Sequence, residues 1–139
     1  MESFHVDILA AACSFYAGPC VSLVVPTPDG KRGVQANHCN MIAAITPGEL
    51  SYTLPGERPR LAAVSSGLIK IEDGRVLVLV ETAERPEDID KNRAQRVADV
   101  AREAMLQKMS RREYLETQAQ LARSINRLRV KHHAEQLND

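Results

Sequence analysis

The stretch TAERPEDIDKNRA, residues 82–94, marks the point at which the pattern of apolar residues changes. Before it, apolar residues alternate with polar ones or form short runs, as β-strands do. After it, they recur at intervals of three and four residues, as they do on one face of an α-helix. The sequence therefore predicts two domains, a β-domain at residues 1–84 and an α-helical domain at residues 85–139.

Several short strands are predicted upstream of this stretch. FHVDIL, residues 4–9, alternates apolar and polar side chains, and VSLVV (21–25) and RVLVLV (75–80) are rich in β-branched residues. Turn residues separate the runs; they occur in PDGKRG (28–33), TPGE (46–49), LPGE (54–57) and EDG (72–74). Many short strands at this spacing favour an antiparallel β-sandwich.

Two helices are predicted downstream. The first carries a mostly alanine stripe, formed by Ala94, Val97, Ala98, Ala101, Ala104 and Met105. Ser110 and Glu113 form a capping box that starts the second helix. Its predicted inner face consists of Tyr114, Gln118, Leu121, Ala122, Ile125 and Leu128. The short break between them predicts an antiparallel helical hairpin. Because helical stability comes mostly from packing, we expect a hairpin with so thin a seam to be marginally stable and either to detach from the sandwich or to open.

The composition excludes several classes of protein. The chain has 18 basic and 18 acidic side chains, which argues against binding to nucleic acid or to an anionic membrane. Three cysteines, an odd number, argue against a disulfide framework and favour free thiols in a reducing compartment. The first basic residue is Lys31, so the positive start of a signal peptide is missing. We therefore expect a cytoplasmic protein that does not insert into the membrane directly.

Six stretches resemble one known family in order and spacing. They are FHVDIL, DGKRG with NH (29–38), TPGEL (46–50), AVSSGLIKI (63–71), TAERPEDID (82–90) and INRLRV (125–130). Over essentially its whole length the chain resembles the epsilon subunit of the bacterial rotary ATP synthase. The resemblance implies the fold already predicted, a β-sandwich followed by a helical hairpin.

The same resemblance implies a non-catalytic rotor subunit in the central stalk, which helps to couple proton flow to ATP synthesis. Its implied partners are the gamma subunit, the ring of c subunits and, when the hairpin extends, the alpha/beta catalytic head, where it suppresses ATP hydrolysis. Its implied location is the cytoplasmic face of the membrane, as a peripheral part of the complex. An alternative is a free-standing ATP-sensing module with the same fold.

The acidic residues at the boundary of the two predicted domains, within residues 84–90, have two interpretations. On residue types alone, Pro86 suits the first turn of a helix, and Asp88 or Asp90 suits its N-cap. The resemblance implies a regulatory ATP site instead, although no cofactor is required. Its residues would be Glu84, Ile89, Asp90, Arg93, Ala94, Arg123 and Arg127. Guanidinium groups suit phosphate oxygens, and carboxylates can accept hydrogen bonds from adenine or ribose. No Walker A loop is present, so hydrolysis is not expected.

Val100 departs from the family pattern. It stands where members that bind ATP strongly carry an arginine, and Arg102 lies about 200° further around the helix. Losing one charge-assisted contact would cost about 1.5–3 kcal/mol, or about tenfold or more in affinity. We therefore predict weak ATP binding.

The second helix is basic toward its end. Arg123, Arg127, Arg129 and Lys131 lie in a segment without any acidic residue from Leu121 to Ala134. These four residues are either a solvated basic face or, as the resemblance implies, the inhibitory contact with an acidic segment of the catalytic head. If the same arginines bind ATP in the folded hairpin, nucleotide competes with inhibition.

The resemblance also implies a contact with the c-ring through Lys31, Arg32 and His38. Family members usually have an acidic residue in place of Lys31, so either this ring presents an acidic loop or the contact differs; a solvated hairpin tip is the alternative. Cys39 follows His38, but adjacent residues of a strand face opposite sides, so we expect them not to converge. No zinc pattern includes His132 and His133.

Overall fold

The computed structural model of the chain describes residues 2–138. Contacts between Cα atoms divide it into two compact units, the first ending at Arg85 and the second beginning at Pro86. Strands make up the first unit and helices the second, so the change of pattern in the sequence corresponds to a change of secondary structure.

Within residues 2–138, ten strands build the first unit. They are β1 (Phe4–Ala10), β2 (Ser14–Cys20), β3 (Ser22–Thr27), β4 (Gly30–Val34), β5 (Met41–Ile45), β6 (Gly48–Thr53), β7 (Arg60–Val64), β8 (Gly67–Glu72), β9 (Arg75–Val80) and β10 (Ala83–Glu84). Sheet A has the order β2-β1-β9-β8-β5, and sheet B has the order β10-β7-β6-β3-β4. Buried side chains of both sheets share one core, which confirms the predicted β-sandwich.

One strand pair is not antiparallel. β1 runs parallel to β9, with Val6 opposite Val76 and Ile8 opposite Val78. The other neighbouring strands of the described sheets pair antiparallel. A parallel pair requires a long crossover, and here seven intervening strands supply it. Side chains alternate between the two faces of a strand whether it pairs parallel or antiparallel. The sequence pattern therefore does not indicate that β1 and β9 are parallel.

Aliphatic side chains fill the core, as the scarcity of aromatic residues requires. Val6 and Ile8 of β1 and Leu23 and Val25 of β3 are completely buried. Each buried side chain of this size stabilises the fold by about 1.5–3 kcal/mol relative to exposure. The predicted alternation in β1 is confirmed, because His5 and Asp7 on its other face are not buried.

The three cysteines are free thiols in two different environments. Cys13 and Cys39 are exposed, whereas Cys20 is buried. The Cys20 Sγ donates a hydrogen bond to the Ser22 carbonyl oxygen over 3.0 Å. Burial raises the pKa of the Cys20 thiol, so this group stays protonated and unreactive in the folded sandwich.

Contacts with β7 and β2 hold the chain in place where it leaves the sandwich. β10 pairs with β7, and the next residue, Arg85, lies with its guanidinium carbon 4.4 Å from the centre of the Phe15 ring. Arg85 also donates a hydrogen bond to the Phe15 carbonyl oxygen over 2.8 Å. The cation–π contact and the hydrogen bond together hold the last residue of the first unit against β2.

The second unit contains a short 3-10 helix (Pro86–Asp88), α1 (Lys91–Met105) and α2 (Arg111–Leu137). α1 buries Ala94, Ala98 and Ala101, which confirms the centre of its predicted alanine stripe. Ser110 is the N-cap of α2, and its hydroxyl accepts a hydrogen bond from the Glu113 amide over 3.2 Å. The two helices pack on each other across the short connection, as an antiparallel hairpin.

The predicted inner face of α2 is partly wrong. Its fully buried residues are Ser124 and Val130, whereas Tyr114, Gln118 and Ala122 are exposed. The prediction followed the larger apolar side chains, but α2 has no single continuous apolar stripe. Because the facing helix is lined by alanine, a small residue such as Ser124 allows the closest approach between the two backbones.

Candidate functional site

Asp90 caps the first long helix. Its backbone is extended, at φ −83° and ψ 103°, and its Oδ1 accepts a hydrogen bond from the Arg93 amide over 3.0 Å. Asp88 lies in the preceding 3-10 helix instead. Of the two predicted caps, Asp90 is therefore confirmed. Capping uses one oxygen of the carboxylate, so the residue can serve the helix and still accept a further hydrogen bond through the other.

The four central residues of the predicted ATP motif divide into two kinds. Ile89 and Ala94 are buried, so these two positions are packing residues of the folded hairpin. Asp90 and Arg93 are exposed and carry the charges. The buried apolar residues anchor the motif in the hairpin, while its charged groups face solvent. Glu84, the remaining acidic candidate, is a half-buried residue of β10 in the first unit.

One contact joins the start of the second unit to α2. The Lys131 Nζ donates a hydrogen bond to the Pro86 carbonyl oxygen over 3.0 Å. Arg127 and Arg123 lie one and two turns earlier on α2, about 6 Å and 12 Å along its axis. Because the hairpin is antiparallel, this places both arginines level with the first turns of α1. The structure therefore brings the predicted α2 residues to the same end of the hairpin as Asp90 and Arg93.

The four basic residues of α2 differ in exposure. Arg123 and Arg129 are exposed, whereas Arg127 and Lys131 are half-buried. The sequence did not indicate that Lys131 closes the hairpin, because a lysine bonded to a carbonyl 45 residues away has no local signature. In the folded hairpin the Lys131 ammonium group therefore already has one partner.

Val100 and Arg102 both lie on the solvent side of α1. Val100 is 66% exposed, and Arg102 forms an ion pair with Asp99 over 3.6 Å. An exposed ion pair of this kind contributes little to stability. An arginine introduced at Val100 would therefore reach solvent without disturbing the packing of the hairpin.

Lys31 and Arg32, predicted to lie in a turn, belong to strand β4, and both make contacts inside the sandwich. The Lys31 Nζ lies 3.3 Å from an oxygen of Glu49, and the Arg32 guanidinium lies 3.4 Å from the Met41 sulfur. Glu49 belongs to β6 of the same sheet. The start of β4 is therefore less basic than its sequence indicates, since Lys31 has an acidic partner within its own chain.

The prediction that His38 and Cys39 do not converge is wrong. They lie in an irregular segment between β4 and β5, not in a strand, and the Cys39 Sγ is 3.8 Å from the His38 Nδ1. The same nitrogen lies 2.8 Å from the Cys39 carbonyl oxygen. In the tautomer in which Nδ1 donates to that carbonyl, it cannot also accept the thiol proton. The close approach therefore does not create an activated nucleophile.

Sheet A carries an exposed apolar stripe that the sequence analysis missed. In register across four strands lie Ala44, Leu68, Leu79 and Leu9. Leu68 and Leu79 are each 38% exposed on the outer face. Leu9, Leu68 and Leu79, but not Ala44, line an open groove of about 560 Å³ together with Ala10, Gly67 and Val80. The signal was present in RVLVLV and SGLIKI, where apolar residues occupy both faces of a strand instead of one.

The described residues offer neither a metal site nor a membrane span. No group of three histidine, cysteine, aspartate or glutamate side chains within residues 2–138 could hold a metal ion. Neither described helix is long and apolar enough to cross a bilayer.

Residues 3–86 match the family model described as the beta-sandwich domain of the ATP synthase delta/epsilon chain. Residues 87–132 match the model of the long alpha-helix domain of the same chain. The chain belongs to the ATP synthase delta/epsilon chain family. The resemblance to the epsilon subunit is thereby confirmed over both halves of the sequence.

Individual members of the delta/epsilon family agree with this assignment. ATP synthase epsilon chain 1 of Methylococcus capsulatus is 35% identical over 128 residues, which cover 92% of this chain and 91% of that protein. The ATP synthase epsilon chain of Ruminiclostridium cellulolyticum is 34% identical over 92% of this chain and 95% of its own length.

Solved structures show the same fold. A chain of the Euglena gracilis mitochondrial ATP synthase, in a structure of OSCP, F1 and the c-ring, has a TM-score of 0.72 and 19% identity. The match covers all of this chain and 83% of that one. A chain from the central stalk and c-ring structure of the Tetrahymena thermophila enzyme has a TM-score of 0.61, 13% identity and 96% coverage of both chains.

Proposed function

We propose that this delta/epsilon chain is a non-catalytic rotor subunit in the central stalk of an ATP synthase and that it helps to couple proton flow to ATP synthesis. The match of both halves to the two domain models carries the proposal. In this role the chain is a peripheral component at the cytoplasmic face of the membrane. Its partners are the gamma subunit, the c-ring and, when the hairpin extends, the alpha/beta head.

The exposed stripe of sheet A supports a partner on this face of the sandwich. Isolated exposed leucines are ordinary, but four apolar residues aligned across neighbouring strands form a contiguous patch. Such a patch suits a helical protein partner, whose apolar side chains can enter the open groove between β8, β9 and β1. We assign this surface to the gamma subunit.

The contact with the c-ring is assigned to strand β4 and the segment after it, with Lys31, Arg32 and His38. Lys31 already has Glu49 as an acidic partner, so Arg32 is the more available positive charge. This arrangement leaves one available positive charge for an acidic group on the ring, so the attraction is weaker than two free basic residues would give.

Inhibition of ATP hydrolysis is assigned to the basic residues of α2. Arg123 and Arg129 are exposed in the folded hairpin, whereas Arg127 and Lys131 become fully available only after the hairpin opens. A basic helix of this kind complements an acidic segment of the catalytic head and is held there by charge-assisted hydrogen bonds.

An ATPase assay tests the inhibitory role. The purified chain should lower the hydrolysis rate of a catalytic head that contains gamma but lacks this subunit. Replacing Arg123 and Arg129 with alanine should raise the concentration required for half inhibition by well over about tenfold, because the loss of even one charge-assisted contact costs about that much. Arg112→Ala is the matched control, since Arg112 is an exposed α2 arginine paired only with Glu116 in the described structure. Equal inhibition by all three proteins would contradict the assignment.

The second proposal is that the folded hairpin binds one ATP weakly. Its support is the intact motif at residues 89–94, together with the position of Arg123 and Arg127 level with it. Glu84 is retained as the upstream acidic candidate. Binding of nucleotide to the folded hairpin would oppose opening, so ATP would act as a regulatory ligand without being hydrolysed.

Calorimetric titration of ATP into the full chain tests this proposal. Arg123→Ala should weaken binding about tenfold through loss of a phosphate contact. Asp90→Asn should also weaken it, because asparagine keeps the helix cap but removes the negative charge. Val100→Arg should strengthen binding. Absence of saturable binding in the natural chain and in Val100→Arg would leave residue 90 as a helix cap alone.

Binding to gamma distinguishes the rotor subunit from the alternative, a free-standing ATP-sensing module. A free-standing ATP-sensing module would bind nucleotide and remain a monomer in the presence of gamma. A rotor subunit would form a stable complex with gamma whether or not ATP is present.

A further inference from the structure

Ser124 is an unusual residue in the hairpin. Its side chain is completely buried in the middle of α2. Its hydroxyl oxygen has no hydrogen-bond partner within residues 2–138, and no other buried side-chain nitrogen or oxygen there shares this property. Native proteins rarely leave a buried polar atom unpaired, so this hydroxyl requires an explanation.

The buried residues of the facing helix offer the Ser124 hydroxyl no hydrogen-bonding side chain. Ser124 lies seven residues before Lys131, about 10 Å along α2 from the contact with Pro86. The same distance along the antiparallel helix α1 reaches its first turn, next to Ala94, which is also buried. The buried residues of α1 are all alanines. Their methyl groups can neither donate to nor accept from a hydroxyl.

We propose that Ser124 is a built-in destabilising residue that holds the folded hairpin close to its opening transition. When the helices are packed, the hydroxyl has lost its hydration and gained no hydrogen bond. When they separate, water hydrates it again. The residue thus raises the free energy of the closed hairpin selectively and favours opening.

Other contacts act in the opposite direction. The Lys131–Pro86 hydrogen bond and the Asp90 cap stabilise the closed state, at the end of the hairpin away from the connection between the helices. Alanine at position 124 would pack against the α1 methyl groups without this penalty. A serine there therefore lowers the stability of the closed state while leaving its geometry intact.

Native-state hydrogen exchange on the full chain tests the proposal. In Ser124→Ala, amides of α1 and α2 that exchange through separation of the helices should exchange about tenfold more slowly. Amides of the sandwich strands should keep their rates. The matched control is Ala122→Ser, which places a serine at an exposed position of the same helix. It should accelerate exchange only about twofold, through helix propensity.

The comparison of the two variants decides the outcome. A slowing in Ser124→Ala that clearly exceeds the acceleration in Ala122→Ser supports the proposal. Equal and opposite effects would mean that only helix propensity changes and would overturn it. Faster exchange in Ser124→Ala would also overturn it, because the hydroxyl would then stabilise the closed hairpin.

The functional consequence rests on the proposed inhibitory role, and the two can fail separately. If opening is required for inhibition, Ser124→Ala should be a weaker inhibitor of the catalytic head by a similar factor. Slower exchange with unchanged inhibition would support the destabilising role of Ser124 and contradict opening as the route to inhibition.

Discussion

Replacing Gly67 with alanine should destabilise the β-sandwich by about 3 kcal/mol, a large part of the stability of a small domain. Gly67 begins β8 and pairs with Val80 of β9. A Cβ atom built at residue 67 would collide with the carbonyl oxygen of Leu79 and would lie 2.7 Å from the Cα of Val80. Both atoms belong to backbone, so no side-chain rotation can relieve the overlap.

The neighbouring strands prevent an easy adjustment. β9 is held between β1 and β8, and a shift of its backbone would disturb hydrogen bonds on both sides. The expected outcome is a lower free energy of unfolding for the first unit, measured by urea denaturation with circular dichroism. It would appear as a lower midpoint at an unchanged slope.

Gly33→Ala is the matched control. Gly33 lies in the edge strand β4, and a Cβ atom there meets no atom within 4 Å. Its free energy of unfolding should change by no more than about 0.5 kcal/mol. Equal stability of the two variants would show that the β8–β9 pair can separate locally at low cost, and the close approach at Gly67 would not be a constraint.

The sandwich was predictable because several of its strands carry their own signals. The alternation in FHVDIL identifies both the strand and its buried face, because residues two apart in a strand lie on the same face. The partner of a strand has no comparable local signal. The parallel pairing of β1 with β9 depends on chain reversals many residues away and therefore appears only in the structure.

The helices show a different limit. The alanine stripe of α1 identifies its buried face, because small apolar residues at helical spacing agree with one another. In α2 the apolar residues do not form a single stripe, and the buried position is taken by Ser124. Which face is buried then depends on the shape of α1. Residue hydrophobicity alone cannot supply that information.

The features of the candidate site also divide into local contacts, which the sequence predicts, and long-range contacts, which it does not. The cap at Asp90 was predictable from residue type and position, because its hydrogen bond to Arg93 is local. The Lys131–Pro86 contact and the stripe across sheet A join residues that are distant in sequence. The resemblance to the family implied the partners but gave no residues for a contact with gamma. The surface that we propose for this contact was found from strand register and exposure.

Leu79→Asp should weaken binding of the chain to gamma by a factor of about 100 or more. Leu79 lies at the centre of the stripe, directly between Leu68 and Leu9. Its outward position means that aspartate can remain hydrated in the free chain, so the sandwich should keep its fold. In the complex the carboxylate would lose water against an apolar partner, and central interface positions of this kind carry about 2–4 kcal/mol.

The measurement is the affinity of the full chain for a gamma-containing catalytic head, with circular dichroism to verify folding of each variant. Leu106→Asp is the control, because Leu106 is 88% exposed but lies in the hairpin. Ile42→Asp, on the edge strand β5, should have an intermediate effect, since it borders the stripe without belonging to it. If Leu79→Asp keeps full affinity while Leu106→Asp loses it, the principal gamma contact belongs to the hairpin. The apolar stripe of sheet A would then need a different partner.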